Sequence, residues 1–81
     1  MNFGTFAHET SVSVQNIDPM FAILSNTMPN DLVREMAQRG LDPVGEPRIR
    51  KELAIFLDDE TGEVRQFYRV ICVCNYAMEN E

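Results

Sequence analysis

The stretch Ile49-Arg50-Lys51-Glu52-Leu53-Ala54-Ile55-Phe56-Leu57, Asp58-Asp59-Glu60-Thr61-Gly62-Glu63, Val64-Arg65-Gln66-Phe67-Tyr68-Arg69-Val70-Ile71-Cys72 decides the fold. Two runs rich in β-branched and aromatic residues flank a cluster of turn-forming ones. Aspartate and threonine favour turns through local hydrogen bonds, and Gly62 can supply a positive φ at no steric cost. The pattern predicts a long β-hairpin, Ile49–Leu57 paired with a strand from Val64 to about Ala77.

A four-residue loop, Asp59 to Gly62, closed by Asp58 and Glu63 fixes the register. Leu57 then faces Val64, Leu53 faces Tyr68, Lys51 faces Val70 and Ile49 faces Cys72. Because side chains alternate across a strand, one face collects Ile49, Leu53, Ile55, Leu57, Val64, Tyr68, Val70 and Cys72, continued by Cys74 and Tyr76. That is a core face. A loop one residue longer or shorter would exchange the two faces of the last strand.

The opposite face carries Arg48, Arg50, Glu52, Ala54 and Phe56 on one strand and Arg65, Phe67, Arg69, Ile71 and Val73 on the other. Glu52 falls opposite Arg69, a favourable cross-strand pair. Aromatics mixed with arginines are the composition enriched where proteins bind one another. Arg48, Arg50, Phe56, Arg65, Phe67, Arg69 and Ile71 are therefore the interface or ligand candidates. Two covers are open for this face: the N-terminal segment with Phe3 and Phe6, or another protein chain.

Upstream, Val12 and Val14 alternate with serines, which predicts a short strand over Thr10–Ile17. Residues 1–9 read as a lead-in. Asp18 can cap a helix, and Pro19 suits its start, where an N–H is unpaired in any case. Phe21, Leu24, Met28, Leu32 and Met36, with Val33 adjacent, stay within one stripe at 100° per residue. Pro29 interrupts the stripe, since it cannot donate to Ser25. The expectation is a helix pair, 19–26 and 30–39, or one kinked helix. Gly40 after Arg39 is a helix stop. Leu41–Glu46, followed by Pro47, reads as a loop, and residues 78–81 as a frayed tail. The fold class is α+β: a short N-terminal strand, a helix pair or kinked helix, then a long antiparallel hairpin, with helix on one face of the sheet.

The order of strand, helix and long hairpin over residues 10–77 is similar to that of dodecins, small flavin-binding shells. The similarity is one of topology and carries no matched ligand residue; dodecins also lack a break like Pro29. The compact, acidic, motif-free character is similar to that of many small accessory proteins of bacteriophages.

Length and charge narrow the function classes. The chain has 81 residues, enough for one domain, and 44% of them are hydrophobic. A chain of this size buries roughly 60% of its unfolded surface, so association is a common way to gain burial. Thirteen acidic and seven basic residues give a net charge of -6. That argues against direct binding to nucleic acid or an anionic membrane, both of which need clustered positive charge. Met1 to Phe6 lack the basic and apolar regions of a signal peptide, and the two cysteines suit a reducing compartment; the expectation is cytoplasmic.

No residue set reads as catalytic, and the expectation is a protein that is not an enzyme and holds no cofactor. Cys72 and Cys74 share a strand face but lack the further ligands of a metal site, so they read as buried structural thiols. His8 and Glu9 lack a nucleophile partner and read as solvated. Asp58, Asp59, Glu60 and Glu63 do not have calcium-loop spacing and read as a soluble turn. Met20, Met28 and Met36 at helical spacing read as core filler.

Three functions follow as expectations. The first is a small interaction protein, self-associating or binding a protein partner through the aromatic and arginine face. The second is an oligomeric protein that holds an anionic small molecule, a nucleotide or flavin, with Arg48, Arg50, Arg65 or Arg69. The third is an acidic mimic of nucleic acid, although the carboxylates are dispersed among bases rather than in the dense row that DNA presents.

Overall fold

The structure is a computed structural model that describes residues 1–79. Its elements are β1 (Asn2–Ser13), a single 3-10 turn (Val14–Asn16), α1 (Ile17–Gln38), β2 (Asp42–Leu57) and β3 (Val64–Met78). The strands form one antiparallel sheet in the order β1-β3-β2, and α1 packs on one face. The expected α+β architecture of strand, helix and hairpin is the one observed.

The hairpin closes as its turn residues dictate. The Asp58 N–H donates to the Glu63 carbonyl at 2.8 Å, and the Gly62 N–H to the Asp58 carbonyl at 2.7 Å. Gly62 has φ 72, where a Cβ would be strained. The Asp58 carboxylate accepts from the backbone of Glu60 at 3.0 Å and holds Arg65 at 3.3 Å. The register is the expected one throughout: Leu57 against Val64, Leu53 against Tyr68, Lys51 against Val70, Ile49 against Cys72.

The helix is one element, with Pro29 inside it. It starts at Ile17, so Pro19 falls within the first turn, where its missing N–H has no intrahelical partner to lose. Asn26 and Asn30 lie within the single helix, and each side-chain amide donates to the carbonyl four residues back. At the far end Leu41 N–H reaches the Met36 carbonyl at 2.9 Å and Gly40 N–H the Ala37 carbonyl at 3.2 Å. With Gly40 at φ 73, this is a Schellman stop.

Four expectations are corrected at the strand ends. The first strand does not run to Ile17: it stops at Ser13, where Val14–Asn16 turn the chain into α1. Residues 2–9 are not a lead-in: β1 begins at Asn2 and pairs with β3 along its length, Phe6 against Cys74 and Val12 against Tyr68. Gly4 permits this, because a Cβ there would lie 2.5 Å from Tyr76 Cζ on the neighbouring strand. Of the expected 41–46 loop, Leu41 closes the helix stop and residues 42–46 are instead the start of β2, which absorbs Gly45, Glu46 and Pro47 as an irregularity between Val44 and Arg48. An edge strand tolerates proline and a bulge because its outer N–H groups need no partner in the sheet. Of the predicted tail, Met78 belongs to β3, Glu79 follows it, and residues 80–81 lie outside the described residues.

The core lies between α1 and the sheet. Val12, Ile17, Met28, Leu32, Met36, Val70, Cys72 and Cys74 are buried, and Phe6, Phe21, Leu24, Ile49 and Tyr68 pack around them. The helix does not cover the whole hairpin. A helix of 22 residues spans ~33 Å, whereas a strand of 15 residues spans ~50 Å. The outer end of the hairpin projects past α1, and the molecule measures 53 × 27 × 17 Å.

Candidate functional site: the open face of the sheet

Strand parity sorts the side chains without ambiguity. His8, Lys51 and Tyr68 meet the helix side: His8 bonds Glu35 of α1, and Lys51 lies over Phe21 at 5.1 Å and Tyr68 at 5.9 Å. Residues of the other parity point away from α1. Arg48, Arg50, Phe56, Arg65, Phe67, Arg69 and Ile71 all belong to that second face, in the order the hairpin register requires.

No layer covers this face among the described residues. The N-terminal segment is not its cover. β1 lies beside β3 in the sheet plane, which sends Phe6 to the helix side and leaves Phe3 on the open face, 72% exposed.

The structure brings the candidates together in two groups. Toward the hairpin tip, Phe56 and Phe67 meet edge to face, with centroids 5.8 Å apart and planes at 70°. Ile71 and Val73 follow along β3, half-buried, with Arg50 beside Ile71 and Arg48 beside Val73 in register. Arg48, Ile49, Arg50 and Val73 line a recess of about 300 Å³. A second recess of about 350 Å³ lies at the far end between Phe3, Thr5, Val44, Asn75 and Tyr76.

The arginines are partly neutralised in ways the strand pairing alone does not indicate. Arg69 opposes Glu52 in register, yet its guanidinium reaches Glu9 of β1, at 3.6 Å. Glu52 instead accepts from Arg50 on its own strand at 3.0 Å. Arg65 pairs with Asp58 at 3.3 Å. Arg48 is the arginine of this face with no ion-pair partner among the described residues. It is the donor most available to an anion.

Two features escaped the sequence reading. Leu53, Ile55, Leu57 and Val64 lie on the predicted core face but are 47%, 60%, 60% and 64% exposed, because α1 ends short of them. Comparing helix and strand lengths would have found this. The second is a cluster at the other end. His8 bonds Glu35, Arg39 reaches Glu35 at 3.4 Å, and the Arg39 guanidinium lies 5.2 Å over the Phe6 ring. The His8 hydrogen bond and then Arg39 hold the Glu35 carboxyl below its ordinary pKa against the opposing effect of burial. His8 is not paired with Glu9, which points to the opposite face.

Cys72 and Cys74 are free and fully buried, and burial followed by the neighbouring Cys74 pushes the Cys72 thiol pKa up. Such thiols are inert packing groups. No group of metal-ligating side chains occurs among the described residues. No helix among them is long and apolar enough to cross a membrane.

No family model, no curated protein and no solved structure matches this chain. The open face is therefore read from its own chemistry.

Proposed function

We propose that this protein is a non-enzymatic interaction module that binds a protein chain, a second copy or a different one, through the open face of its sheet. The observation that carries the reading is the uncovered row of Phe56, Phe67, Ile71 and Val73 flanked by arginines. A solvated sheet face is polar along its length, whereas this one sets Phe56, Phe67, Ile71 and Val73 among its charged residues. The exposed Leu53, Ile55, Leu57 and Val64 extend apolar surface around the hairpin tip. Apolar patches of this kind on a small chain mark contact with another macromolecule.

Solution mass by light scattering over a concentration series, on the native chain and on Phe67→Glu, tests the reading. A native oligomer that Phe67→Glu reduces to a folded monomer of 9.3 kDa identifies the face as a self-interface. A native chain that is monomeric throughout, with Phe67→Glu as stable and as soluble as native, removes the reason to invoke self-binding there.

The recess beside Arg48 favours a second reading, an anionic ligand such as a nucleotide or flavin held at this face. Thermal shift with such ligands tests it. Saturation at about 100 times Kd stabilises by ~2.7 kcal/mol, and Arg48→Ala should abolish the shift. The nucleic-acid mimic draws no comparable support, since Glu9, Glu52 and Asp58 are engaged by arginines.

A further inference from the structure

A three-stranded sheet has two edges, and here they are built differently. The outer edge belongs to β2 on one side and to β1 on the other. β2 is guarded. It carries Pro43 and Pro47, breaks its pairing between Val44 and Arg48, has Gly45 at φ 81, and bears Arg48, Arg50, Lys51 and Glu52 in near succession. Proline, bulges and charge are the devices that stop a sheet edge from recruiting another strand.

β1 has none of these. Its sequence, Asn-Phe-Gly-Thr-Phe-Ala-His-Glu-Thr-Ser-Val-Ser over residues 2–13, contains no proline, lysine or arginine. It pairs with β3 without interruption from Asn2 to Ser13. Its one carboxylate, Glu9, is already held by Arg69 at 3.6 Å. The outward N–H and C=O groups of this strand therefore form a long, regular ladder with no strand beside it among the described residues.

We propose that β1 pairs antiparallel with β1 of a second copy, joining two sheets into one of six strands. This goes beyond the reading of the open face, because it uses the edge of the sheet and leaves that face free. Antiparallel self-pairing requires a two-fold axis perpendicular to the sheet. Residues directly opposite then point to the same side, so odd positions meet odd and both helices lie on one face. Centring the axis on Ala7 sets Phe6 against His8 of the partner subunit and Glu9 against Thr5 of the partner subunit. No charged side chain then faces its own copy. For a chain of net charge -6 this matters, because two copies repel unless they meet along a surface poor in carboxylates. The guarded β2 edges become the two ends of the joined sheet, so growth stops at two copies. The open faces of the two subunits merge into one surface.

Four variants test this by sedimentation velocity and cross-linking. Ala7 is exposed on β1 and lies opposite Val73, so substitution there leaves the core intact. The native chain should sediment at twice 9.3 kDa at high concentration, with amide exchange over residues 2–13 slowed as concentration rises. Ala7→Lys, which sets two ammonium groups at the axis, should return it to monomer, and so should Ser11→Lys, an independent edge charge. Ala7→Cys should form a covalent dimer under mild oxidant, because opposed antiparallel residues lie within disulfide reach. The native chain, whose thiols are buried, should not. Phe67→Glu should leave the edge dimer unchanged. A dimer that survives both lysine variants and is lost in Phe67→Glu would overturn edge pairing and leave the open-face reading standing. A native chain that stays monomeric with no cross-link through Ala7→Cys would overturn edge pairing as well.

Discussion

His8, in the middle of β1, hydrogen-bonds Glu35 in the last turn of α1 and ties the edge strand to the helix across 27 residues of sequence. Arg39 joins the same carboxylate from one turn further on and stacks over Phe6. The edge strand is thus held by side chains as well as by its ladder to β3.

Glu35 should make stability fall in acid. Its carboxyl pKa is lowered in the folded chain, chiefly by the His8 hydrogen bond. A depressed carboxyl contributes stability above its unfolded pKa, about 4.3 for glutamate, and that contribution is lost as pH falls through the lower folded value. Urea unfolding from pH 7 to 3 should show this loss, and Glu35→Gln should lower stability at pH 7 while flattening the acid limb. An unchanged acid limb in Glu35→Gln would remove Glu35 from the account.

Leu32 and Phe67 should differ in what they cost. Leu32 is fully buried between α1 and the sheet, so Leu32→Ala should lose about 2–5 kcal/mol. Phe67 lies half-buried on the open face and mainly loses its contact with Phe56, so Phe67→Glu should cost about 1 kcal/mol. Denaturant midpoints measure both. Equal, large losses would show that the open face is a second core.

Pro29→Ala should stabilise. Residue 29 lies inside α1 and offers no N–H to the Ser25 carbonyl, a defect worth up to ~3 kcal/mol in a helix interior. A gain of about 1–2 kcal/mol is expected, since neighbouring contacts have adapted to the ring. Thermal unfolding would reveal it, and a loss would mean that the half-buried ring is needed for packing.

Cys72 should resist alkylation in the folded chain. Both cysteines are fully buried, and the Cys72 thiol pKa is raised, which lowers the reactive thiolate fraction. Labelling by iodoacetamide should proceed only as fast as the chain opens and should rise steeply with urea. Rapid labelling without denaturant would contradict the packing of β3 under α1.

The sequence by itself determined the hairpin, its register, the single apolar stripe of the helix and the Gly40 stop. Each depends on residues close together in the chain: Asp58 and Gly62 shape one turn, and the turn fixes every pair from Leu57–Val64 to Ile49–Cys72. It placed Arg48, Phe56, Phe67, Arg69 and Ile71 on one face for the same reason. What only the tertiary structure decided were contacts between distant segments. β1 extends back to Asn2 because β3 offers it a strand edge and Tyr76 fills the space above Gly4. Proline-containing residues 42–48 join β2 because an outer edge makes no demand on their N–H groups. Glu9 claims Arg69, His8 claims Glu35, and the hairpin tip stays bare because α1 is shorter than the strands it covers. Local periodicity states which way a side chain points; only the packed chain states what, if anything, is there to meet it.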